Sequence, residues 1–266
     1  MSDKTSYMKS KKSLYMDNLV ARMNSNEKFG ESDFEEWVFS HINYPKGCEL
    51  LDIACGTGKA IFKLLEKHPQ IGSILAIDIF ESALRILENQ AKEENLTQVK
   101  VMVQDMETLP VILNNQKFDS IYSIYGIHYS PRMAELLCEY KPLLKSDGSI
   151  FFCGPDAFCN INLMRILVSS EVMDNNPIPT RMLKPFVSES DLKLLRKNFD
   201  KVEVDYFENP VHFPDLDSFL TWWRNHDLYR SELEDLLQQR VLLEIKKHDR
   251  FTLNKNIIGV KLTVDK

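Results

Sequence analysis

Residues 50–58 read LLDIACGTG, and Asp78 follows twenty residues after Gly58. An apolar run carries Asp52 at its end, and a turn is built on Gly56 and Gly58. Helix-compatible sequence (KAIFKLLEKH) comes next, and a second apolar run, SILAID, ends in Asp78. Strand, glycine loop, helix, strand and acid in this order make a nucleoside holder. The glycines let the backbone turn sharply and come close to a ligand. An acid at the end of the second strand can accept hydrogen bonds from both ribose hydroxyls.

The two acids also select the ligand. A dinucleotide site calls for Gly or Ala three residues after Gly58, so that a pyrophosphate can sit on the helix N-terminus. That position is Ile61. Asp52, beside the loop, would repel a pyrophosphate and suits a ligand carrying an ammonium or sulfonium group. S-adenosylmethionine carries both and is the expected cofactor. An NAD-linked reductase is disfavoured on the same two residues.

The elements that must position these groups follow from hydrophobic patterning. VKVMVQDM (99–106) is a third apolar run, ending in Asp105. KFDSIYSIYGIHYS (117–130) is a fourth, and LKSDGSIFFCGP (144–155) a turn followed by a fifth. Between them, ESALRILENQAKEE (81–94) and PRMAELLCEYKPLL (131–144) place apolar residues at three- and four-residue steps, the period of an amphipathic helix. Strands alternating with helices predict an α/β fold, a parallel sheet covered on both faces. Ligands of such sheets bind at the carboxyl ends of the strands. Asp52, Asp78, Asp105 and His128 all fall at or just past such ends.

LDIACGTG, AIDIF, QDME, FDSIYSIYGIHY and LKSDGSIFF, in this order over roughly residues 45–155, resemble the successive motifs of class I S-adenosylmethionine-dependent methyltransferases. The resemblance implies a Rossmann-like, seven-stranded, mostly parallel sheet. It implies that Asp52 and the loop with Ala54, Cys55, Gly56 and Gly58 surround the methionine part of the cofactor. Asp78 would hold the ribose, and Ile79 would pack on the adenine. Asp105 would meet the adenine amino group, with the Met106 backbone beside it, and Tyr125 would flank the methionine portion. Ala54 stands where many members have the first glycine. Cys55 lies in the loop, which needs its backbone more than its sulfur.

Composition fits a soluble enzyme of this kind. The 266 residues are ample for one core, and a 44 % hydrophobic content is ordinary for a globule. No apolar run is long enough for a membrane span, and no apolar stretch follows the N-terminal lysines as a secretory signal would require. Cys48, Cys55, Cys138, Cys153 and Cys159 form no CxxC pair; their odd number and scatter predict reduced thiols in a cytoplasmic protein. A net charge of −6 without an obvious basic patch argues against nucleic-acid binding, which draws its affinity from phosphate neutralisation. The fourth strand ends in SIYGIHY rather than Asn/Asp-Pro-Pro-Tyr/Phe, which argues against methylation of base amino groups. The six histidines are dispersed, and no metal constellation is read.

Acceptor recognition must come from outside the nucleoside frame. One domain over 1–266 is expected, with an N-terminal lid or helical segment (1–44), a cofactor core (45–155) and cap inserts (156–198 and 207–255). SDFEEWVFSHI (32–42) reads as a helix whose Ser32 and Glu35 resemble a capping box, with Tyr7 and Tyr15 ahead of it. INLMRILVSSEVM (161–173) reads as an apolar helix before a loop with prolines at 177, 179 and 185. VSESDLKLLRKNF reads as a capped helix, and KVEVDYF (201–207) as the sixth strand. Asp215 or Asp217 caps a helix bearing Phe219, Leu220, Trp222 and Trp223. A further helix spans 231–247, and NIIGVKLTV (256–264) is the last strand. The insert SFLTWWRNHDLY loosely resembles the cap helix of small-molecule methyltransferases such as the trans-aconitate and malonyl-carrier methyl esterases.

Methyl transfer needs the acceptor atom in line with the S–CH₃ bond, about 3 Å away, with water excluded. A neutral acceptor also needs a base, and a carboxylate acceptor wants an arginine or lysine to position it. His128 is the base candidate, and Tyr129 can orient the acceptor. Arg165, Arg181 and Arg224 are candidate clamps for an anionic substrate. Trp222 and Trp223 are candidate walls of the cleft, one of them expected in the core, and His226 is a second base candidate. These residues predict methyl transfer to a small organic molecule, at oxygen before nitrogen. The alternatives are a tRNA, rRNA or protein methyltransferase, or a cofactor-binding protein without turnover.

Overall fold

The computed structural model describes residues 12–168, 185–226 and 228–265. In chain order the helices are α1 (Lys12–Phe29), α2 (Phe34–His41), α3 (Lys59–Lys67), α4 (Glu81–Glu93), α5 (Leu109–Ile112), α6 (Met133–Tyr140), α7 (Ile161–Val168), α8 (Glu189–Asn198), α9 (Leu216–Arg224) and α10 (Glu234–His248). The strands are β1 (Glu49–Ile53), β2 (Ser73–Asp78), β3 (Val99–Val103), β4 (Phe118–Ile124), β5 (Leu144–Pro155), β6 (Lys201–Phe207), β7 (Pro210–Phe213), β8 (Phe251–Asn254) and β9 (Ile257–Thr263). The chain divides into two compact units. One comprises Phe34–Pro155, Phe186–Phe207 and Ile258–Lys266; the other comprises the described parts of Met1–Asp33, Asp156–Pro185 and Glu208–Ile257.

The first unit is built on a seven-stranded sheet of order β3-β2-β1-β4-β5-β9-β6. β1 pairs in parallel with β2 and β4, β2 with β3, and β4 with β5. Val264, just past β9, donates to the Gly148 carbonyl near the start of β5, and Asp200, just before β6, donates to Thr263 at the end of β9. β9 therefore runs against both neighbours, and β6 runs with the rest. The apolar runs read from sequence are continuous because the central strands are covered on both faces: four of the five β1 residues and five of the seven in β4 are buried. The covering helices bury one stripe each, Ile61, Leu64 and Leu65 on α3 and Ala83, Leu84, Leu87 and Ala91 on α4. Their three- and four-residue steps match the helical period.

α2 packs within this unit by side-chain chemistry as well as burial. The Trp37 indole N–H donates to Asp205 on β6 at 2.9 Å, and Lys63 on α3 pairs with Glu35 at 2.7 Å. The capping box expected of Ser32 and Glu35 does not form. Glu35 is taken by Lys63, and the Ser32 hydroxyl donates to the Glu208 carbonyl. The box expected ahead of α8 does form: Ser188 Oγ accepts from the Asp191 amide at 3.1 Å, and Asp191 accepts from the Ser188 amide at 2.8 Å. α8 lies in the sheet unit.

The second unit has its own core. Leu163 and Leu167 of α7, Phe219, Leu220, Trp222 and Trp223 of α9, and Leu237 and Val241 of α10 close on an antiparallel pair, β7 with β8. This pair, with Gly30 bridged to Val211, has no counterpart in the sequence reading, whereas α1 falls within the segment 1–44 expected as a lid or helical segment. Four-residue strands such as PVHF and FTLN are too short to show a period. Asp215 is the cap of α9, accepting from the Ser218 amide at 2.7 Å. The helix expected over 231–247 begins as a 3₁₀ turn, Ser231–Leu233, before α10. The helix expected over 161–173 is described only to Val168, and the prolines at 177 and 179 lie outside the described residues.

Candidate active site at the carboxyl edge of the sheet

The loop after β1 turns through three left-handed residues in five, Ala54 (φ 59°), Gly56 (φ 58°) and Gly58 (φ 80°). At Gly58 glycine is required twice over, since a Cβ would also lie 2.6 Å from Leu87 of α4. At Gly56 a Cβ would meet no described residue within 4 Å. The loop is tied to β2 from both directions: Cys55 N–H donates to the Ile77 carbonyl at 3.0 Å, and Gly56 N–H donates to Asp78 Oδ2 at 2.9 Å.

Asp78 is buried at the end of β2, and its Oδ1 accepts from the Phe80 amide at 2.9 Å. The Gly56 and Phe80 amides fix the orientation of its carboxylate. Ile79 beside it is half-buried. Asp52 is buried beneath the loop, opposite Tyr122 on β4. Burial drives its carboxyl well above the usual carboxylate range; the Tyr122 phenol opposes this and the Asp78 charge adds to it. The Tyr122 hydroxyl interacts with Asp52 without meeting an acceptor at hydrogen-bonding geometry. A cation brought to the loop would draw Asp52 back toward its ionised form. Burial, with Asp52 and Asp78 nearby, likewise pushes the Cys55 thiol well up. This disfavours the thiolate and agrees with a backbone role for Cys55.

Past β3, Asp105 is exposed and heads a 3₁₀ turn, its Oδ1 accepting from the Glu107 amide at 3.0 Å. The Met106 carbonyl accepts from the Tyr140 hydroxyl at 2.7 Å. Past β4, Tyr125 is also left-handed (φ 57°), and its amide donates to the Cys153 carbonyl of β5 at 2.9 Å. A tyrosine in this conformation is strained, and such strain clusters at functional sites. Its ring lies 6.0 Å from Phe34 of α2. His128 and Tyr129 follow in a 3₁₀ turn with ring centroids 4.3 Å apart, and His128 meets Phe186 edge-on at 5.7 Å. Asp52, the loop, Asp78, Asp105, Tyr125, His128 and Tyr129 are thus gathered on the carboxyl edge of one sheet. A cavity of about 400 Å³ opens at the opposite, amino edge, beside Glu49, Ser73, Lys100 and Lys117. It is remote from these groups, and the chemistry of the carboxyl edge decides between the two.

The substrate candidates in the inserts fare differently. Trp222 and Trp223 are both fully buried in the second unit's core, which corrects the expectation that one faces a cleft. α9 turns both rings inward because β7, β8 and α10 close over it from more than one side. His226 packs against both indoles, at 4.7 and 5.9 Å, and its Nδ1 accepts from the Leu228 amide at 3.1 Å. Burial, then Arg22 and Lys255, hold its pKa well below the usual histidine value, which favours the neutral imidazole. Arg224 is forked onto Glu234. Arg165 is exposed on α7, and Arg181 lies outside the described residues. Phe34, Phe186, Tyr122 and Tyr140 were not singled out by sequence. Each is an aromatic in an apolar stretch, with no spacing that separates a site residue from core.

Known proteins match the same frame. A family model described as a methyltransferase domain covers residues 45–200. The chain belongs to this family. Its sheet unit is accordingly an S-adenosylmethionine-dependent methyltransferase domain, with S-adenosylmethionine as cofactor. It is 27 % identical over 173 residues to the biotin biosynthesis bifunctional protein BioHC of Teredinibacter turnerae, covering 62 % of this chain and 30 % of that protein. It is 26 % identical over 171 residues to the ubiquinone biosynthesis O-methyltransferase of Glaesserella parasuis, covering 62 % and 71 %. The chain thus spans less than a third of the length of the first. A putative methyltransferase structure from Bacillus halodurans aligns over 88 % of this chain and all of its own, with a TM-score of 0.61 at 16 % identity, a likeness of fold. No described helix is long and apolar enough to cross a membrane, and no described group of His, Cys, Asp and Glu is placed to hold a metal.

Proposed function

We propose that the whole protein transfers a methyl group from S-adenosylmethionine to a small organic acceptor, at oxygen before nitrogen. The observation that supports this reading is Asp78, buried at the carboxyl end of β2 and oriented by the Gly56 and Phe80 amides beside the left-handed loop, where an acid would meet a ribose. The cofactor, when bound, supplies an activated methyl on a sulfonium. Asp52 and the 54–58 backbone face its methionine part, Ile79 packs on the adenine, and Asp105 accepts from the adenine amino group beside the Met106 backbone. Tyr125 closes the methionine side. His128, on the turn after β4, takes the proton of a neutral acceptor, and Tyr129 orients that acceptor. Arg165, exposed on α7, and Arg181 stay candidates for an anionic acceptor. The preference for oxygen is supported by the named chemistry of the ubiquinone relative. A small acceptor suits a chain with a net charge of −6 better than a nucleic acid does.

Calorimetric titration with S-adenosylhomocysteine, with NAD for comparison, tests the frame. The wild type should bind the first and ignore the second. Asp78→Asn should weaken binding by about a hundredfold, the scale of two hydrogen bonds to a charged acceptor. Undiminished affinity in the variant would remove Asp78 from the site. An acceptor screen over small acids, phenols and amines then separates oxygen from nitrogen transfer.

A further inference from the structure

The turn that carries Asp105 is held from behind by residues that lie outside the cofactor motifs. The peptide joining Met106 to Glu107 is fixed at both ends. Its N–H donates to Asp105 Oδ1 at 3.0 Å, and its carbonyl accepts from the Tyr140 hydroxyl at 2.7 Å. Tyr140 is fully buried at the end of α6, and burial, with Glu107 and Asp105 nearby, keeps its phenol protonated and therefore a donor. Arg132, at the other end of the helix, donates to Glu107 at 2.8 Å and forks onto Glu139, the neighbour of Tyr140. Thr108 closes the turn by donating to the Asp105 carbonyl at 2.9 Å. Asp105 is exposed on this turn, and the Glu107 amide engages its Oδ1. The Arg132 pairs are partly exposed, and such pairs add little stability. What they do is restrict geometry.

We infer that Tyr140 and Arg132 are positioning residues for base recognition, orienting the Asp105 carboxylate and the Met106 backbone so that the site prefers an adenine over a 6-oxo purine. This rests on the assignment of Asp105 to the adenine amino group. A 6-oxo purine replaces that amino donor by an acceptor, which a correctly held carboxylate rejects. A carboxylate free to rotate discriminates less.

The test compares binding of S-adenosylhomocysteine with binding of its inosine analogue, by calorimetry, in the full-length wild type and in Asp105→Ala, Tyr140→Phe and Arg132→Ala. The wild type should prefer the adenine ligand by about tenfold or more. Asp105→Ala should remove most of that ratio. Tyr140→Phe should shrink it by about threefold or more, and Arg132→Ala by less. A merely structural role for Tyr140 would weaken both ligands alike and leave the ratio at its wild-type value; that outcome overturns the inference while leaving Asp105 in place. No preference in the wild type, or a full preference in Asp105→Ala, would overturn the adenine assignment and the inference with it. Arg132→Ala, changed at a partly exposed site, keeps the test open should Tyr140→Phe fold poorly.

Discussion

The two units use the same residue types in opposite ways. At the carboxyl edge of the sheet unit, acids sit at or just past strand ends beside left-handed residues, Ala54, Gly56, Gly58 and Tyr125, and Asp78 is oriented by two backbone amides. In the second unit, Trp222, Trp223 and His226 bury their surface against one another and against Leu and Phe side chains. A tryptophan pair followed by histidine looks like recognition chemistry in sequence, but in three dimensions it is the second unit's core. The lesson is that residue type identifies a site only when the backbone presents it, and backbone presentation is what the glycine loop and strand ends announce.

The sharpest way to break this comparison is to exchange the two kinds of loss. Trp222→Ala empties a fully buried site and breaks the indole N–H bond to Asn26. It should cost about 3–5 kcal/mol of stability, read by chemical denaturation. A ligand-binding Trp222 would instead lose affinity and leave stability nearly unchanged. His128→Ala should do the reverse, lowering turnover by about a hundredfold, a typical contribution for a general base, while S-adenosylhomocysteine binds as before. Collapse of cofactor binding in that variant would make His128 structural.

How far sequence reaches follows from the same contrast. Asp52, Asp78 and the loop were legible because a tight turn restricts residue identity: Gly58 sits at φ 80° against Leu87, and few other sequences satisfy both demands. The α/β alternation was legible because strands covered on both faces read as unbroken apolar runs. Three things were not. The β7–β8 pair is formed by four-residue strands far apart in the chain, the first ending at Phe213 and the second starting at Phe251, and short runs carry no period. The fate of Trp222 and Trp223 depends on which elements close over α9, a long-range fact. Tyr140 acts through a hydroxyl at the end of an amphipathic stripe that reads as core throughout.

His226 sharpens the comparison through pH. Its folded pKa lies well below the usual value, whereas the unfolded chain regains about 6.5. Between these two values the unfolded state binds a proton that the folded state refuses, so stability rises with pH there and levels off above about 6.5. Acidification from neutral pH should therefore erode stability. His226→Gln should flatten this part of the profile, measured as denaturation midpoint against pH. An unaltered slope would mean that His226 titrates normally and is not packed as described.

The smallest effect belongs to Ala54, at the cofactor loop itself. At φ 59° an alanine is strained by its Cβ, whereas a glycine adopts the conformation freely. Replacing it also frees the unfolded chain, which works against the gain. The strain should win narrowly, so that Ala54→Gly raises stability by up to about 1 kcal/mol. Gly126 limits how far the neighbourhood can respond, because its backbone already packs so closely on Ala54 that a Cβ there would lie 2.5 Å from the alanine methyl. Removing the methyl therefore opens a small gap beside Gly126 as it relieves the loop. Cofactor affinity should stay unchanged, because the amides of Cys55 and Gly56 remain tied to β2. A stabilised loop with intact affinity would show that the left-handed turn, and not the residue that fills it, is what the site requires. A loss of affinity would show that the alanine methyl itself touches the ligand.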